Sequence, residues 1–229
     1  GSINTTYTSA NTTAGFSIST YTGTGSNATV GHGLGVAPEL VIIKDRDNTV
    51  HWPVGSTVMG WNKNMYLSLN SAQQTANHFQ DTPPTNSLMY LSTDAAVNGS
   101  GNNYVMYCFA GKTGYSKIGS YTGNGSADGT FIYTGFKPAW VMVKRTDSTN
   151  NWMIIDNKRT PSNTGTVPEI FADSNSAENN STDGRFDYLS NGLKARGTNA
   201  VINASGGTYL YMAFGQSLVG SNNVPCIAR

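Results

Sequence analysis

Apolar and polar residues alternate along Phe16-Ser17-Ile18-Ser19-Thr20-Tyr21, the two-residue period of a half-buried strand. Thr22-Gly23-Thr24-Gly25-Ser26-Asn27 follows as a turn, its glycines supplying the positive φ that hairpins need. The apolar run Leu40 to Lys44 predicts a strand covered on both faces, with Pro38 placed before it where no ladder donor is lost. Tyr66-Leu67-Ser68-Leu69 alternates again, and Leu88 to Leu91 and Tyr104 to Phe109 complete a set of strands. Between them lie a polar loop at residues 71–87, containing Pro83-Pro84, and a turn-rich linker from Asp94 to Gly101.

The same plan then recurs. Tyr121-Thr122-Gly123-Asn124-Gly125-Ser126 answers Tyr21 to Ser26, and Pro138, Lys144, Asp147 and Trp152 answer Pro38, Lys44, Asp47 and Trp52, each 100 positions later. Asn203 to Phe214 matches Asn98 to Phe109 at an offset of 105, so the second copy carries a small net insertion. Its longest loop spans residues 157–184. The pattern predicts an all-β chain of two tandem pseudo-repeats, residues 14–112 and 113–216. Each holds six or seven short strands in a β-sandwich or jelly-roll-like unit. Residues 1–13 read as a polar leader or linker and residues 217–229 as a C-terminal tail. Gly1-Ser2 reads as a cloning remnant. A short stretch within 169–180 is the sole helix candidate.

Composition narrows the classes of function. Charged residues make up 12% of the chain, and 14 basic residues stand against 13 acidic ones without a basic run. Binding to nucleic acid through phosphate neutralisation is therefore not expected. No apolar run approaches the ~20 residues of a membrane-spanning helix. Cys108 sits in the apolar run Tyr104 to Phe109 and is replaced by Ala213 in the second copy, which suits a small buried residue. A disulfide with Cys226 is an open alternative.

No catalytic signature emerges. His32, His51 and His78 lie in no nucleophile elbow, and Ile132 and Asn151 replace the first two in the second copy. The three glutamates, Glu39, Glu169 and Glu178, are the candidates for a glycosidase-like pair. No cysteine or histidine stands at metal-ligand spacing, and a calcium site at Asp47 or Asp147 would need more oxygen ligands than the copies share. Asp47 and Asp147 either contact a ligand or cap turns through the backbone. Trp52, Trp152, Tyr21 and Tyr121 either form platforms for sugar rings or pack in a core. What differs between the copies, the loops at 71–87 and 157–184, is where function is to be sought.

Three long runs carry a resemblance: Gly31 to Lys44, Tyr115 to Gly129 and Gly135 to Asp147. They resemble a domain of unknown function widespread in marine and cyanobacterial phage genomes, where it lies in large virion or tail-associated proteins. The resemblance covers Phe16 to Phe214 and implies a viral particle as the setting. It brings no catalytic or binding residues with it. It implies a virion structural protein, a module of a tail fibre or similar appendage that binds a host-cell surface glycan, contacts other virion proteins and assembles as a homo-trimer. Alternatives are a ligand-free capsid-decorating or spacer domain, and a carbohydrate-binding module of a polysaccharide-degrading enzyme.

Overall fold

The computed structural model describes residues 1–159, 163, 165–183 and 185–216. The proposed tail at 217–229, with Cys226, lies outside the described residues. The chain divides into two units, Gly1–Gly111 and Lys112–Arg229.

The first unit contains β1 (Tyr7–Asn11), β2 (Phe16–Thr22), β3 (Ala28–Gly31), β4 (Leu40–Asp45), β5 (Pro53–Ser56), β6 (Lys63–Tyr66), β7 (Gln74–Thr75), β8 (Leu88–Leu91), α1 (Ala95–Asn98) and β9 (Asn103–Phe109). Seven strands form one antiparallel sheet in the order β1-β2-β9-β4-β5-β6-β7, and β3 pairs with β8 in a second. The core gathers side chains of both sheets: Tyr21, Val41, Ile43, Tyr104, Met106 and Cys108 from the large one, and Val30, Met89 and Leu91 from the small one. Along β4, Val41 and Ile43 face this core, while Leu40 and Ile42 on the other face are buried as well. A strand of four consecutive apolar residues suits this double burial.

The second unit contains β10 (Ser116–Thr122), β11 (Asp128–Tyr133), β12 (Pro138–Arg145), β13 (Met153–Asp156), β14 (Val167–Phe171), β15 (Asn179–Ser181), β16 (Arg185–Leu189), β17 (Gly192–Arg196) and β18 (Thr208–Gly215). Its large sheet runs β10-β18-β12-β13-β14-β15, the order of β2-β9-β4-β5-β6-β7, and β11-β17-β16 form the smaller sheet. Val141, Val143, Tyr121, Tyr209 and Tyr211 meet Ile132, Leu193, Ala195 and Phe186 in its core.

The repeated Tyr-Thr-Gly-x-Gly-Ser segment has the same physical role in each unit. Tyr21 stacks on Tyr104 with centroids 5.1 Å apart, and Tyr121 on Tyr209 at 4.8 Å. Their hydroxyls donate to Val97 O at 2.6 Å and Ile202 O at 2.7 Å. The turn that follows is clamped by a fully buried asparagine. Asn98 Oδ1 accepts from Thr24 N–H at 2.8 Å, and Asn203 Oδ1 accepts from Asn124 N–H at 2.9 Å. Gly23 and Gly123 approach the clamp so closely that an added Cβ would lie 2.2 Å from Gly99 O and 2.3 Å from Ala204 O. Glycine is needed there for lack of space rather than for positive φ.

Two expectations need correction, the leader and the helix. Residues 1–13 are part of the first unit rather than a leader. Ile3 is buried and bridges to Val30, and β1 pairs with β2 from Tyr7↔Thr20 to Asn11↔Phe16. All five residues of β1 are exposed, so it is held by its main chain, which apolar patterning does not report. The helix lies at Ala95–Asn98, where Asp94 accepts from Ala96 N–H at 2.8 Å as its N-cap, and residues 169–180 contribute to β14 and β15 instead. The loop at 71–87 is bound into the unit. Phe79 is fully buried edge-on to Trp61, under Gly55, whose missing Cβ would lie 2.4 Å from the Phe79 ring. Gln80 Nε2 donates to Ala28 O at 3.0 Å and Leu91 O at 2.7 Å. Cys108 is a buried free thiol whose pKa burial pushes up to about 12.

Candidate functional site

Most of the residues singled out from the sequence serve the scaffold. Tyr21, Tyr121 and Trp152 are buried and offer no face to a surface ligand; Trp52 is half-buried. Asp47 and Asp147 are exposed but engaged at the start of a central strand. Asp47 Oδ2 accepts from Asn103 N–H at 2.7 Å, and Asp147 Oδ1 accepts from Thr208 N–H at 3.0 Å. Arg145 adds a bidentate pair to Asp147, Nε and Nη2 both at 3.0 Å. The Arg145 hydrogen bonds, seconded by the Thr208 amide, hold the Asp147 carboxyl down at about 2.

A pH dependence follows from this depression. A carboxyl whose folded pKa lies below its unfolded value of 3.8 adds stability that is present above about pH 4 and lost as pH falls through about 2. The denaturation midpoint of the native protein should exceed that of Asp147→Asn at pH 6, and the gap should close between pH 4 and 2. A gap unchanged at pH 2 would refute the role given to Asp147.

The titratable groups with catalytic potential are individually occupied. His32 is fully buried, its Nδ1 accepting from Leu34 N–H at 3.3 Å and its Nε2 at 3.2 Å from Thr85 O, with its pKa lowered by burial. His51 Nδ1 meets Ser68 Oγ at 3.1 Å. His78 is buried, with Nε2 3.2 Å from Tyr66 Oη and Nδ1 3.6 Å from Asp94 Oδ2. Burial lowers its pKa against the attraction of Asp94. Glu39 accepts from Gly111 N–H at 3.2 Å, Glu178 pairs with Arg159 at 2.6 Å, and Glu169 accepts from Asn179 Nδ2 at 2.9 Å while burial raises its pKa. The buried Lys144 donates to Arg145 O at 2.6 Å, and desolvation lowers its pKa to about 8 against the pull of Asp173 and Asp147. Among the described residues no three His, Cys, Asp or Glu side chains gather as a metal-binding group.

The feature that stands apart is the outer face of the small sheet in the second unit. Ile132 points into the core, so its neighbours Phe131 and Tyr133 point outward, 44% and 58% exposed. Two residues of one strand on one face stand about 7 Å apart. Lys117 Nζ lies 5.1 Å from the Tyr133 ring centroid and donates to Tyr133 O at 2.8 Å. Lys194 pairs across from Phe131. Beside them runs a charged row: Asp128 meets Lys194 at 3.1 Å and Arg196 at 3.0 Å, and Arg196 Nε meets Asp187 at 2.6 Å. Lys194, then Arg196, lowers the pKa of Asp128. The face is rigid because it is built on strands, and it combines apolar rings with fixed donors and acceptors.

Phe131 and Tyr133 were not among the residues read from the sequence as ligand contacts. The signal was present: at the same positions of the first copy stand Gly31 and Gly33. The copies thus differ within a strand as well as in the long loops.

Over residues 1–217 the sequence matches the profile of a Domain of unknown function (DUF7483). The chain belongs to this family. No curated protein matches it. No solved structure matches it.

Proposed function

We propose that this chain is a module of a virion appendage that binds a cell-surface carbohydrate, and that Phe131 and Tyr133 are its stacking platform. The observation that carries the binding part is the pair of rings, each more than one-third exposed on one face of β11, where the first copy has glycines. Large aromatics left in water on a rigid sheet cost solvation free energy that a stacked pyranose ring recovers. Lys117, Lys194 and Arg196 lie within the same face and supply donors for hydroxyl or carboxylate groups of a glycan. The virion setting rests on the sequence resemblance alone.

Phe131→Ala with Tyr133→Ala should weaken retention in polysaccharide affinity gels about tenfold or more, with a thermal midpoint close to that of the native protein. The exposure of both rings predicts that small change in stability. Failure of the native protein to bind any glycan on a surface-polysaccharide array would sink the proposal.

A further inference from the structure

The two units differ at one edge of their large sheets. In the first, β1 lies along the outer side of β2. In the second, β10 is itself the edge, and among the described residues no strand pairs with its outer side. Its free stretch lies between Ser116, which bonds to Lys112, and Thr122, whose carbonyl accepts from Thr130. An edge without a neighbouring strand offers main-chain donors and acceptors.

Strand geometry identifies those groups. Ser116 exchanges both main-chain bonds with Lys112, so it faces away from β18, whereas Tyr115 O and Gly123 N–H bond to Gly215 and Gly207 on the β18 side. The direction alternates along an antiparallel strand. It therefore places the N–H and C=O of Ile118 and Ser120 on the open side. Thr122 O, next in that series, accepts from Thr130 Oγ1 at 2.7 Å.

Tyr133 abuts this rail through Lys117 of β10. At its place in the first unit stands Gly33, where an added Cβ would come within 3.1 Å of Thr8 Cγ2 and 3.2 Å of Ala10 Cβ. Gly33 has a left-handed φ of 72° and, lacking a Cβ, also leaves room for the side chains of β1. Tyr133, at the matching position but within strand β11, places a bulky ring beside β10, where a docking strand needs room. A sugar ring has the opposite requirement: an aromatic face to stack on, and main-chain groups for its equatorial hydroxyls.

We infer that the open edge of β10 and the ring of Tyr133 form one groove for a linear, extended polysaccharide, which lies where β1 lies in the first unit. One pyranose stacks on Tyr133, and hydroxyls along the chain bond to the main chain of Ile118 and Ser120. This rests on the carbohydrate reading above and adds the rail and the shape of the ligand.

The test is an amide and aromatic NMR titration of the whole chain with two probes, the linear β-1,4-linked hexasaccharides of glucose and of N-acetylglucosamine. Saturable shifts of the Ile118 and Ser120 amides together with the Tyr133 ring are expected with at least one. Tyr133→Ala should weaken that affinity about tenfold, and Ser120→Pro, which removes an outward N–H, about threefold to tenfold. Shifts at the Tyr133 ring without any at Ile118 and Ser120 would overturn the groove and leave the carbohydrate reading standing. So would a response to neither hexasaccharide from a protein that binds other glycans on an array. Binding to no glycan at all would remove both. A concentration-dependent dimer that Ser120→Pro dissociates, with no hexasaccharide shifts, would show that the rail takes a strand and overturn the inference.

Discussion

Tyr121→Ala is expected to destabilise the protein by about 3–5 kcal/mol, the range for removing a large aromatic from a core. Tyr121 is buried, stacks on Tyr209 with planes 9° apart and meets Phe186 edge-on at 6.4 Å, so truncation leaves a cavity bounded by rings held in strands. Tyr121→Phe keeps the ring and deprives Ile202 O of its donor, at a cost of about 1–3 kcal/mol. Urea unfolding of the three proteins measures both steps. Neither change should alter glycan affinity where the variant remains folded. A Tyr121→Phe protein of native stability but weakened glycan binding would return Tyr121 to the role of ligand contact, against its burial.

Asn203→Ala is expected to cost about 2–4 kcal/mol, because one small side chain closes four polar contacts. Asn203 is fully buried. Its Oδ1 accepts from Asn124 N–H at 2.9 Å, and its Nδ2 donates to Asn124 Oδ1 at 3.1 Å, Ser126 O at 2.8 Å and Gly197 O at 2.9 Å. Alanine strands these partners beside a turn that Gly123 packs against with no space to spare. Asn203→Asp should be at least as damaging, since a carboxylate oxygen would then face the Ser126 and Gly197 carbonyls. The urea midpoint should fall with its slope unchanged. A loss below about 0.5 kcal/mol, the level of an ordinary surface substitution, would show that the asparagine is not the clamp of the turn.

These two residues also mark how far the repeated segment could be read. Tyr21 and Tyr121 were legible as strand residues from alternation, and Gly23 and Gly123 as turn residues from their type. That the tyrosine is core and not platform depends on which face of β2 or β10 meets β3 or β11, a long-range choice. The clamp was less legible still. Asn98 reaches Thr24 across 74 positions and Asn203 reaches Asn124 across 79, and an asparagine in a polar stretch resembles any turn asparagine.

The candidate site divides in the same way. Phe131 and Tyr133 stand two positions apart in the apolar run Phe131-Ile132-Tyr133, so their placement on one face of a strand was open to reading from the sequence. Which face is wet was not, because alternation of Phe131, Ile132 and Tyr133 is apolar on both sides. Only the pairing of β11 with β17, which seats Ile132 over Leu193 in the core, turns the two rings outward. Loop 71–87 is polar in composition, yet buried Phe79 and the bonds of Gln80 to Ala28 O and Leu91 O tie it into the unit.

By itself, then, the sequence determined the all-β class and the strand and turn positions that the two copies share. These depend on local periodicity and on the backbone freedom of glycine, which are properties of neighbouring residues. Tertiary structure alone decided that the N-terminal residues add an edge strand to one unit, that no strand among the described residues covers the matching edge of the second, and that the ring of Tyr133 stands beside it. Those outcomes depend on main-chain pairing and on burial between segments far apart in the chain, and neither leaves a trace in local composition.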